Sequence, residues 1–290
     1  SLCLGVLRSK ANASASRPES SAEPLRRPSE PQVVLDQPDR LVIAKPVGWE
    51  VYDYDHSDQH IEHQLLSFLR AIFAEQRPIL EDVEYNHGFL HRLDVPSSGL
   101  ILAAKTYEAY YDLQVQLSTG ELVRDYIILC HGWTPPDLHE IKAHVYWRSG
   151  HELPTSAGRQ GKPSRTHVKV LAHASNGGDA LSLTATRIAT GRRHQIRCHF
   201  AHVGHPLVCD GKYTVYATFQ SDLKICAQNF LHRYRLAFKD AAGSCCTAMQ
   251  PVPEDLLSTL RQLAVYDRES EGAVLLWLRG HGLRDWKEYE

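Results

Sequence analysis

The stretch HRLDVPSSGLILAAKT (residues 91–106) places a single carboxylate, Asp94, between a His-Arg-Leu sequence and a turn that leads into an apolar run. Proline and glycine within the turn interrupt regular structure, and the apolar run GLILAAKT predicts a buried strand. An acid at this position could cap a helix, form the turn or act as a nucleophile. The local sequence leaves these three roles open, and the rest of the chain has to decide among them.

The composition is that of an ordinary globular protein, because 43% of the 290 residues are apolar and 23% are charged. No run of 18 apolar residues is present, so the sequence predicts no membrane-spanning helix. The seven cysteines form no C-x-x-C pair, which favours reduced thiols in a reducing intracellular compartment, the cytoplasm or an organelle. The first 18 residues carry Arg and Lys but no acid and faintly resemble an organelle transit segment.

The net charge of −2 conceals a segregation of charge along the chain. Residues 50–90 contain nine acidic residues and two arginines, whereas residues 142–239 contain fifteen Lys and Arg residues and four acidic residues. A basic segment of this kind is typical of a surface that binds a phosphate backbone. The alternative is that the acidic and basic segments neutralise each other within the fold, and the charge count does not separate the two.

Composition and periodicity divide the chain into three parts. Residues 1–35 are rich in Ser, Ala, Pro and Arg, and we expect a disordered segment or a remnant of a targeting sequence. Residues 36–265 are predicted to form one α+β domain, because runs of strands are interrupted by a few helices. Residues 266–290, which include GAVLLWLRG, form an extension that could be a late strand, an added helix or a partner contact.

Hydrophobic periodicity predicts the individual elements. Helices are predicted at HIEHQLLSFLRAIFAEQ, YEAYYDLQVQL, RRHQIRCHFAHVG and PEDLLSTLRQLAVY. Strands are predicted at PQVVLD, DRLVIAK, GLILAAKT, VRDYIILCHGW, EIKAHVYW, SRTHVKVLAHA, LSLTATRIAT and FLHRYRLAF.

A second informative stretch is GRRHQIRCHFAHVGHPLVCDGKY (residues 191–213), whose four histidines and two cysteines suggest a zinc site. On a helix, His199 and His202 could share a face, as metal ligands require. However, the spacing matches no common zinc module, and three arginines interleave the candidate ligands. The pattern favours a basic helix whose histidines form hydrogen bonds or contact RNA. The separate cluster HSDQHIEH (residues 56–63) is predicted to be a solvated face.

The two stretches together resemble the RluA-type pseudouridine synthases. That family's catalytic motif is His-Arg-Leu-Asp, two variable residues, then Thr/Ser-Ser-Gly-Leu, and it reads HRLDVPSSGL here (residues 91–100). Its later motif, Gly-Arg-Thr/Ser-His-Gln-Ile/Leu-Arg-x-His followed by Gly-His-Pro, reads GRRHQIRCH (residues 191–199) and GHP (residues 204–206). The stretches IAKPVGWEV, RDYIILCHG, GKPSRTHVKVL and LHRYRLAF resemble, in order, the family's Asn-Lys-Pro-x-Gly, Tyr-bearing, Gly-Lys-x-Ala-x-Thr and Leu-His-Ala strands.

The resemblance implies the pseudouridine synthase fold, an α+β domain with a long, mixed, mostly antiparallel sheet, flanking helices and a central catalytic cleft. Residues 36–265 would be the catalytic domain. The function implied is that of an isomerase that converts specific uridines in rRNA or tRNA into pseudouridine. RNA is the expected partner, no cofactor, metal or membrane is expected, and a monomer is expected.

The chemistry breaks the N1–C1′ glycosidic bond, rotates the base and rejoins it through C5. The resemblance implies that Asp94 acts on the ribose, either as a nucleophile or by removing the 2′ proton, and the residues do not choose between these routes. Desolvation would raise the pKa of such a carboxyl, and a paired cation counters this effect. The family assigns that pairing to Arg197. It also places a Tyr, here Tyr126, in a stack on the target base, near the C5 proton.

The remaining predicted site residues surround this set. A target nucleotide has to leave its helix before the enzyme can reach C1′. Arg92, next to the acid, is therefore predicted to hold a phosphate or fill the vacated space, whereas His91 beside it is expected to form structural hydrogen bonds at the same RNA-binding edge. The predicted RNA-binding residues are His91, Arg92, Arg192, Arg193, His194, Gln195, His199 and Lys212.

This sequence departs from the family pattern at several positions. Val95-Pro96 replaces the commoner Lys-Asp type of pair, and Arg193 replaces Thr or Ser, which adds positive charge. Ala44 stands in place of Asn, and Ser164-Arg165 in place of Ala-x. None of these changes removes a predicted catalytic group. A non-catalytic RNA-binding protein on the same fold is the main alternative, and a metal-dependent hydrolase built on the histidines is a third.

Overall fold

The structure is a computed structural model that describes residues 29–52, 63–73, 77–147 and 155–289. Most of the predicted disordered segment, the start of the first predicted helix and the histidines His56 and His60 lie outside the described residues.

The described strands form one sheet of eleven strands. They are β1 Gln32–Asp36, β2 Arg40–Lys45, β3 Ser98–Ala104, β4 Val123–His131, β5 Glu140–Tyr146, β6 Ser156–Gly158, β7 Lys162–Asn176, β8 Asp179–Ile188, β9 Leu231–Lys239, β10 Cys245–Met249 and β11 Ala264–Val265. The spatial order is β1-β2-β3-β9-β4-β8-β7-β5-β6, with β10 added to β9 and β11 added to β7. β3 and β9 are parallel, and the other described pairs are antiparallel. The predicted mixed, mostly antiparallel sheet is confirmed.

Six α-helices and three short 3-10 helices pack around the described sheet. The α-helices are α1 Leu65–Ile72, α2 Tyr107–Thr119, α3 Gln195–His202, α4 Tyr216–Asp222, α5 Glu254–Arg261 and α6 Arg268–Leu278. The 3-10 helices are Pro78–Glu81, Val83–Gly88 and Trp286–Tyr289. None of the helices in the described ranges is long and apolar enough to cross a membrane.

The central strand β4 is buried on both faces. Its side chains alternate, so that Tyr126 and Ile128 lie in one hydrophobic core while Ile127 and Leu129 lie in the other. A strand that is buried on both faces needs apolar side chains at consecutive positions, which explains the sequence YIILC.

The contact between β3 and β9 brings the HRLD segment to the middle of the sheet. Ser98 pairs with His232 and Gly99 with Arg233. The φ angle of Gly99 is +120°, and a Cβ atom there would lie 2.4 Å from the carbonyl oxygen of Arg233. Only glycine permits this backbone geometry and this close approach. Gly99 therefore allows the residues before β3 to lie beside β9.

The helix predicted to open directly after Gly191 begins later, at Gln195. His194 has a left-handed backbone with φ 51° and so cannot continue a helix toward its N-terminus. The side-chain oxygen of Gln195 accepts hydrogen bonds from the Thr190 hydroxyl and from the backbone N–H of Arg192. These contacts hold the segment before α3 as a turn.

Both ends of the domain differ in detail from the sequence analysis. β1 begins at Gln32, which confirms the strand predicted at PQVVLD and shortens the segment expected to be disordered. At the other end, GAVLLWLRG forms most of α6, which is the helical alternative of the three. Val274 and Trp277 of α6 are buried in the second core. Residues beyond α6 reach back to the sheet, where Asp285 pairs with Arg235.

Candidate active site

Asp94 lies in the turn that precedes β3. Its carbonyl accepts a hydrogen bond from the N–H of Ser97 at 3.0 Å, and this closes a turn around Val95 and Pro96. The carbonyl of Val95 in turn accepts from the N–H of Gly48 at 2.9 Å. Val95 and Pro96 therefore lie in a tight turn that is hydrogen-bonded to the segment after β2.

The carboxylate of Asp94 is paired with Arg197 on α3. Arg197 Nη1 donates to Asp94 Oδ2 at 2.8 Å. The same guanidinium donates from Nε and Nη2 to the two carboxylate oxygens of Asp210, at 2.7 and 2.6 Å. The Arg197 and Asp210 side chains are almost completely buried, whereas the Asp94 side chain keeps 13% of its surface exposed. Asp210 thus holds the guanidinium through Nε and Nη2. The Nη1 group of Arg197 is left to donate to Asp94.

This arrangement keeps Asp94 ionised. Burial alone would raise the pKa of the Asp94 carboxyl, but His194 and Arg197 outweigh burial and hold that pKa well below its usual range. Burial lowers the pKa of His194 to about 4, although the charge of Asp94 partly opposes the shift. His194 is therefore neutral near pH 7, and Arg197 is the side chain that stays positively charged beside Asp94. Burial would lower the pKa of Arg197, but Asp210 and Asp94 raise it instead.

His194 reaches the site because of its left-handed backbone. Its Nε2 lies 3.7 Å from Asp94 Oδ1, and its Nδ1 lies 3.0 Å from the hydroxyl of Tyr213. The Tyr213 hydroxyl donates to the carbonyl of Thr155 at 2.9 Å. His194 therefore borders the carboxylate, in a place where it could contact both Asp94 and a bound nucleotide.

Tyr126 on β4 borders the same pocket as Asp94 and is 2% exposed. Arg233 Nη2 donates to the Tyr126 hydroxyl at 2.6 Å, and the Arg233 guanidinium carbon lies 4.9 Å from the centre of the Tyr126 ring. Arg233 stands at the third position of the Leu-His-Ala signature. Its guanidinium fixes the ring that the sequence analysis placed against the target base.

His91 is part of the framework behind this ring. Its Nδ1 accepts a hydrogen bond from Arg233 Nη1 at 2.7 Å. Burial, together with the positive charges of Arg233 and Arg124, lowers the pKa of His91 well below its ordinary value. The neutral ring is therefore a hydrogen-bond partner for Arg233, as the expected structural role requires.

The carboxylate and the tyrosine share one pocket of about 910 Å³. It extends from the HRLD segment across β4 to the turn before α3. Arg92, Lys162, Arg192 and Arg193 contribute to its lining, and the guanidinium of Arg193 lies 4.7 Å from the centre of the Trp147 ring. A cleft with cations in its walls and a carboxylate at its base suits a nucleotide within a polyanionic strand.

The structure corrects one of the predicted RNA-binding residues, His199, and shows a structural contact for another, Gln195. His199 is fully buried, and its ring nitrogens lie 3.0 Å from the Thr166 hydroxyl and 3.2 Å from the Ala143 carbonyl, so no part of the ring is open to RNA. Gln195 is 3% exposed and lines the pocket, and its amide holds the turn before α3. Both residues support the site through hydrogen bonds within the protein.

Lys212 is exposed on the loop after Asp210 and lies outside the pocket lining. Within the described ranges, no group of three or more His, Cys, Asp or Glu side chains could hold a metal ion.

The RNA pseudouridylate synthase family model matches residues 39–202, which is more than half of the chain. The chain belongs to this family. The ribosomal large subunit pseudouridine synthase C of Haemophilus ducreyi is 32% identical over 215 residues, which are 72% of this chain and 62% of that relative. The ribosomal large subunit pseudouridine synthase D of Nitrosomonas europaea is 31% identical over 238 residues, 80% of this chain and 65% of that relative. The matches thus span less than two thirds of either relative. The resemblance to RluA-type synthases is confirmed.

Solved structures of the family show the same fold. Human RNA pseudouridylate synthase domain containing 1 superposes with a TM-score of 0.63 at 25% identity, covering 86% of this chain and 95% of that chain. Human RNA pseudouridylate synthase domain containing 4 gives a TM-score of 0.55 at 18% identity, covering 81% of this chain and 94% of that chain.

Three residues at the site of this pseudouridylate synthase domain, Asp210, Arg233 and Arg124, were not predicted from the sequence. Asp210 lies inside the second quoted stretch, and its signal was an acid within a basic segment. Arg233 could have been noticed as a departure from Leu-His-Ala. Arg124, which lines the pocket two positions before Tyr126, gave no signal beyond its charge.

Proposed function

We propose that this chain is an RNA pseudouridine synthase that uses Asp94 to convert specific uridines of rRNA or tRNA into pseudouridine. The observation that supports this proposal is the pairing of Asp94 with a buried Arg197–Asp210 unit in the pocket that Tyr126 lines. Two of the curated relatives are named for the large ribosomal subunit, which favours rRNA as the first substrate to test.

The assigned roles follow from the positions of the groups. Asp94, kept ionised by Arg197, acts on the ribose, either by attack on C1′ or by removal of the 2′ proton. Tyr126 stacks on the base and lies near the C5 proton that must leave. Arg92, Arg192 and Arg193 bind phosphates at the pocket mouth, and the target nucleotide leaves its helix to enter the pocket.

Tritium release from RNA labelled at uridine C5 tests the proposal, because the new C5–C1′ bond expels the C5 hydrogen. Unmodified rRNA and tRNA transcripts would be incubated with wild type and with Asp94→Asn. We expect release by wild type and a loss of at least about 10²-fold in the variant. Asp137→Asn, at an exposed position outside the pocket lining, is the matched control and should retain the wild-type rate.

Release by Asp94→Asn at the wild-type rate would refute the role of Asp94. An absence of release by wild type, with RNA binding intact, would instead support a non-catalytic RNA-binding protein on the same fold.

A further inference from the structure

Arg124 on β4 is a buried cation that has no counter-ion among the described residues. Its residue surface is 2% exposed, and in the described part of the chain no carboxylate lies within ion-pair distance of its guanidinium. Its one hydrogen bond there runs from Nη2 to the carbonyl of Ile188 at 3.5 Å, and its Nε has no partner. Burial lowers the pKa of Arg124 to about 10, so the side chain is still charged at neutral pH. A buried charge left in this state costs free energy of folding.

The surroundings place this cation in the pocket. Arg124 precedes Tyr126 by two residues, so the two side chains lie on the same face of β4, and both line the pocket. A Cβ atom on Gly191 would lie 2.7 Å from Arg124 Nη1. The glycine that opens the later family motif therefore leaves room for the guanidinium.

A second buried guanidinium, that of Arg233, faces the same pocket. Arg233 already donates to the Tyr126 hydroxyl, His91 and the carbonyl of Leu100. The guanidinium of Arg233 thus donates to neutral acceptors within the protein. Most N–H donors of Arg124 are left for a ligand. The two cations repel each other, which an anionic ligand between them would relieve.

The depth of Arg124 decides which part of an RNA it meets. The mouth of the pocket carries Arg192, which is exposed and suits the phosphate backbone. Arg124 is buried and lies two residues from Tyr126 on β4, so a base stacked on Tyr126 would lie nearer to Arg124 than its sugar and phosphates would. The group that can meet Arg124 is therefore the pyrimidine ring with its O2 and O4 oxygens.

Resting on the proposed function, we propose that Arg124 stabilises the negative charge that develops on a uracil carbonyl oxygen as the N1–C1′ bond breaks. When the N1–C1′ bond breaks, its electron pair stays with N1 and is shared with O2 and O4. The bond from C5 to C1′ then forms, the C5 proton passes to water or to a base of the site, and N1 takes up one proton from water, so that no proton is gained or lost overall. Arg124 keeps its own protons throughout, and no additional reactant is needed. Donors placed where negative charge develops contribute large rate factors in buried sites.

The test compares Arg124→Gln with wild type on two transcripts, one made with uridine and one with 5-fluorouridine. Fluorine withdraws electrons and makes the base a better leaving group, so it replaces part of the stabilisation that Arg124 supplies. Single-turnover loss of the N-glycoside, followed by nuclease digestion and chromatography, reads both substrates in the same way. Arg192→Gln is the matched control, because it removes the same charge at the pocket mouth.

We expect Arg124→Gln to lower the rate on uridine RNA about 10²-fold, as loss of one such donor does in other sites. The loss should be clearly smaller on 5-fluorouridine RNA, while RNA affinity stays at the wild-type value. The thermal midpoint should be unchanged or raised, because the variant removes an uncompensated buried charge. Arg192→Gln should weaken RNA binding and slow both substrates equally.

Equal losses on both substrates would overturn the proposal, and so would weaker RNA binding by Arg124→Gln, which would indicate a phosphate contact. A lowered midpoint that accounts for the lost activity would overturn it in favour of a structural role. If wild type converts neither RNA, the proposed function is refuted, and the inference about Arg124 is refuted with it. If wild type converts both and Arg124→Gln matches it, only the inference fails.

Discussion

Replacing Asp210 by Asn leaves the volume of the side chain almost unchanged but removes the charge that holds Arg197. The two donors Nε and Nη2 of Arg197 now meet one carboxylate, at 2.7 and 2.6 Å. An asparagine can accept only one of these hydrogen bonds, and its amino group would oppose the other donor. The variant therefore breaks the buried part of the network while Asp94 itself is retained.

The size of the effect follows from these contacts. Hydrogen bonds to charged groups each contribute about 1.5–3 kcal/mol, and removing one partner of a buried ion pair costs about 3–5 kcal/mol. Arg197 keeps Asp94 as a partner, so we expect the lower end, about 3 kcal/mol of unfolding free energy. For a domain of this size class, this corresponds to a fall of roughly 6–12 °C in the thermal midpoint.

Urea denaturation followed by tryptophan fluorescence, together with tritium release, measures both effects. Asp94→Asn is the comparator. Because Asp94 is partly exposed and makes a single hydrogen bond to Arg197, its loss should cost less stability than the loss of Asp210 and yet stop the reaction. Asp210→Asn should instead lose much stability and only part of its rate, because the guanidinium of Arg197 would be misplaced.

A double-mutant cycle with Arg197→Met isolates the pair. In that background, Asp210→Asn should cost much less, with a coupling energy of about 2 kcal/mol or more. A stability of Asp210→Asn within about 1 kcal/mol of wild type, or a coupling energy near zero, would refute the argument that this carboxylate anchors Arg197.

Three further predictions concern other parts of the structure. Gly99→Ala should prevent native folding or destabilise the protein by more than about 3 kcal/mol, because the new methyl group would overlap the Arg233 carbonyl, and soluble yield and circular dichroism would show it. Trp286→Ala should lower the unfolding free energy by about 1–2 kcal/mol, since it removes two cation–π contacts, and should leave the rate of tritium release unchanged. The depressed pKa of Asp94 should contribute stability that is complete at neutral pH and lost as the pH falls below about 4, so the acid limb of a stability–pH curve should be shallower in Asp94→Asn than in wild type.

The sequence predicted the parts of the site that local motifs carry. Asp94 and the strand after it could be identified because turn residues and an apolar run stand next to each other in the chain. Arg197 and Tyr126 were identified through the family resemblance, and the structure places both in the predicted neighbourhood. Their catalytic roles remain predictions.

What the sequence could not supply were contacts between distant segments. His199 was grouped with RNA-binding residues because it stands in a basic stretch, but α3 turns its ring toward Thr166 and Ala143. The late start of α3 depends on the hydrogen bonds of Gln195 with the preceding turn, which periodicity does not encode.

The charge count left open how much of the positive surplus is neutralised within the fold, because ion pairs join distant segments. Part of the positive surplus in residues 142–239 is neutralised inside the protein by carboxylates from outside that segment. Asp125 pairs with Arg187 and Arg235, and Asp94 pairs with Arg197. The basic surface available to RNA is therefore smaller than the linear sequence suggests.

The separations along the chain within the Arg197 network also bear on how the protein is made. Arg197 and Asp210 are 13 residues apart, whereas Arg197 and Asp94 are 103 residues apart. Closing the longer loop costs more entropy, and it requires β3 to dock on β9, which is synthesised later still. On the ribosome, Asp94 therefore emerges as an ordinary solvated carboxylate long before its cation exists. The pairing of Asp94 with Arg197 in the folded sheet therefore forms only after β9 has been synthesised, when the nascent chain can already bury it.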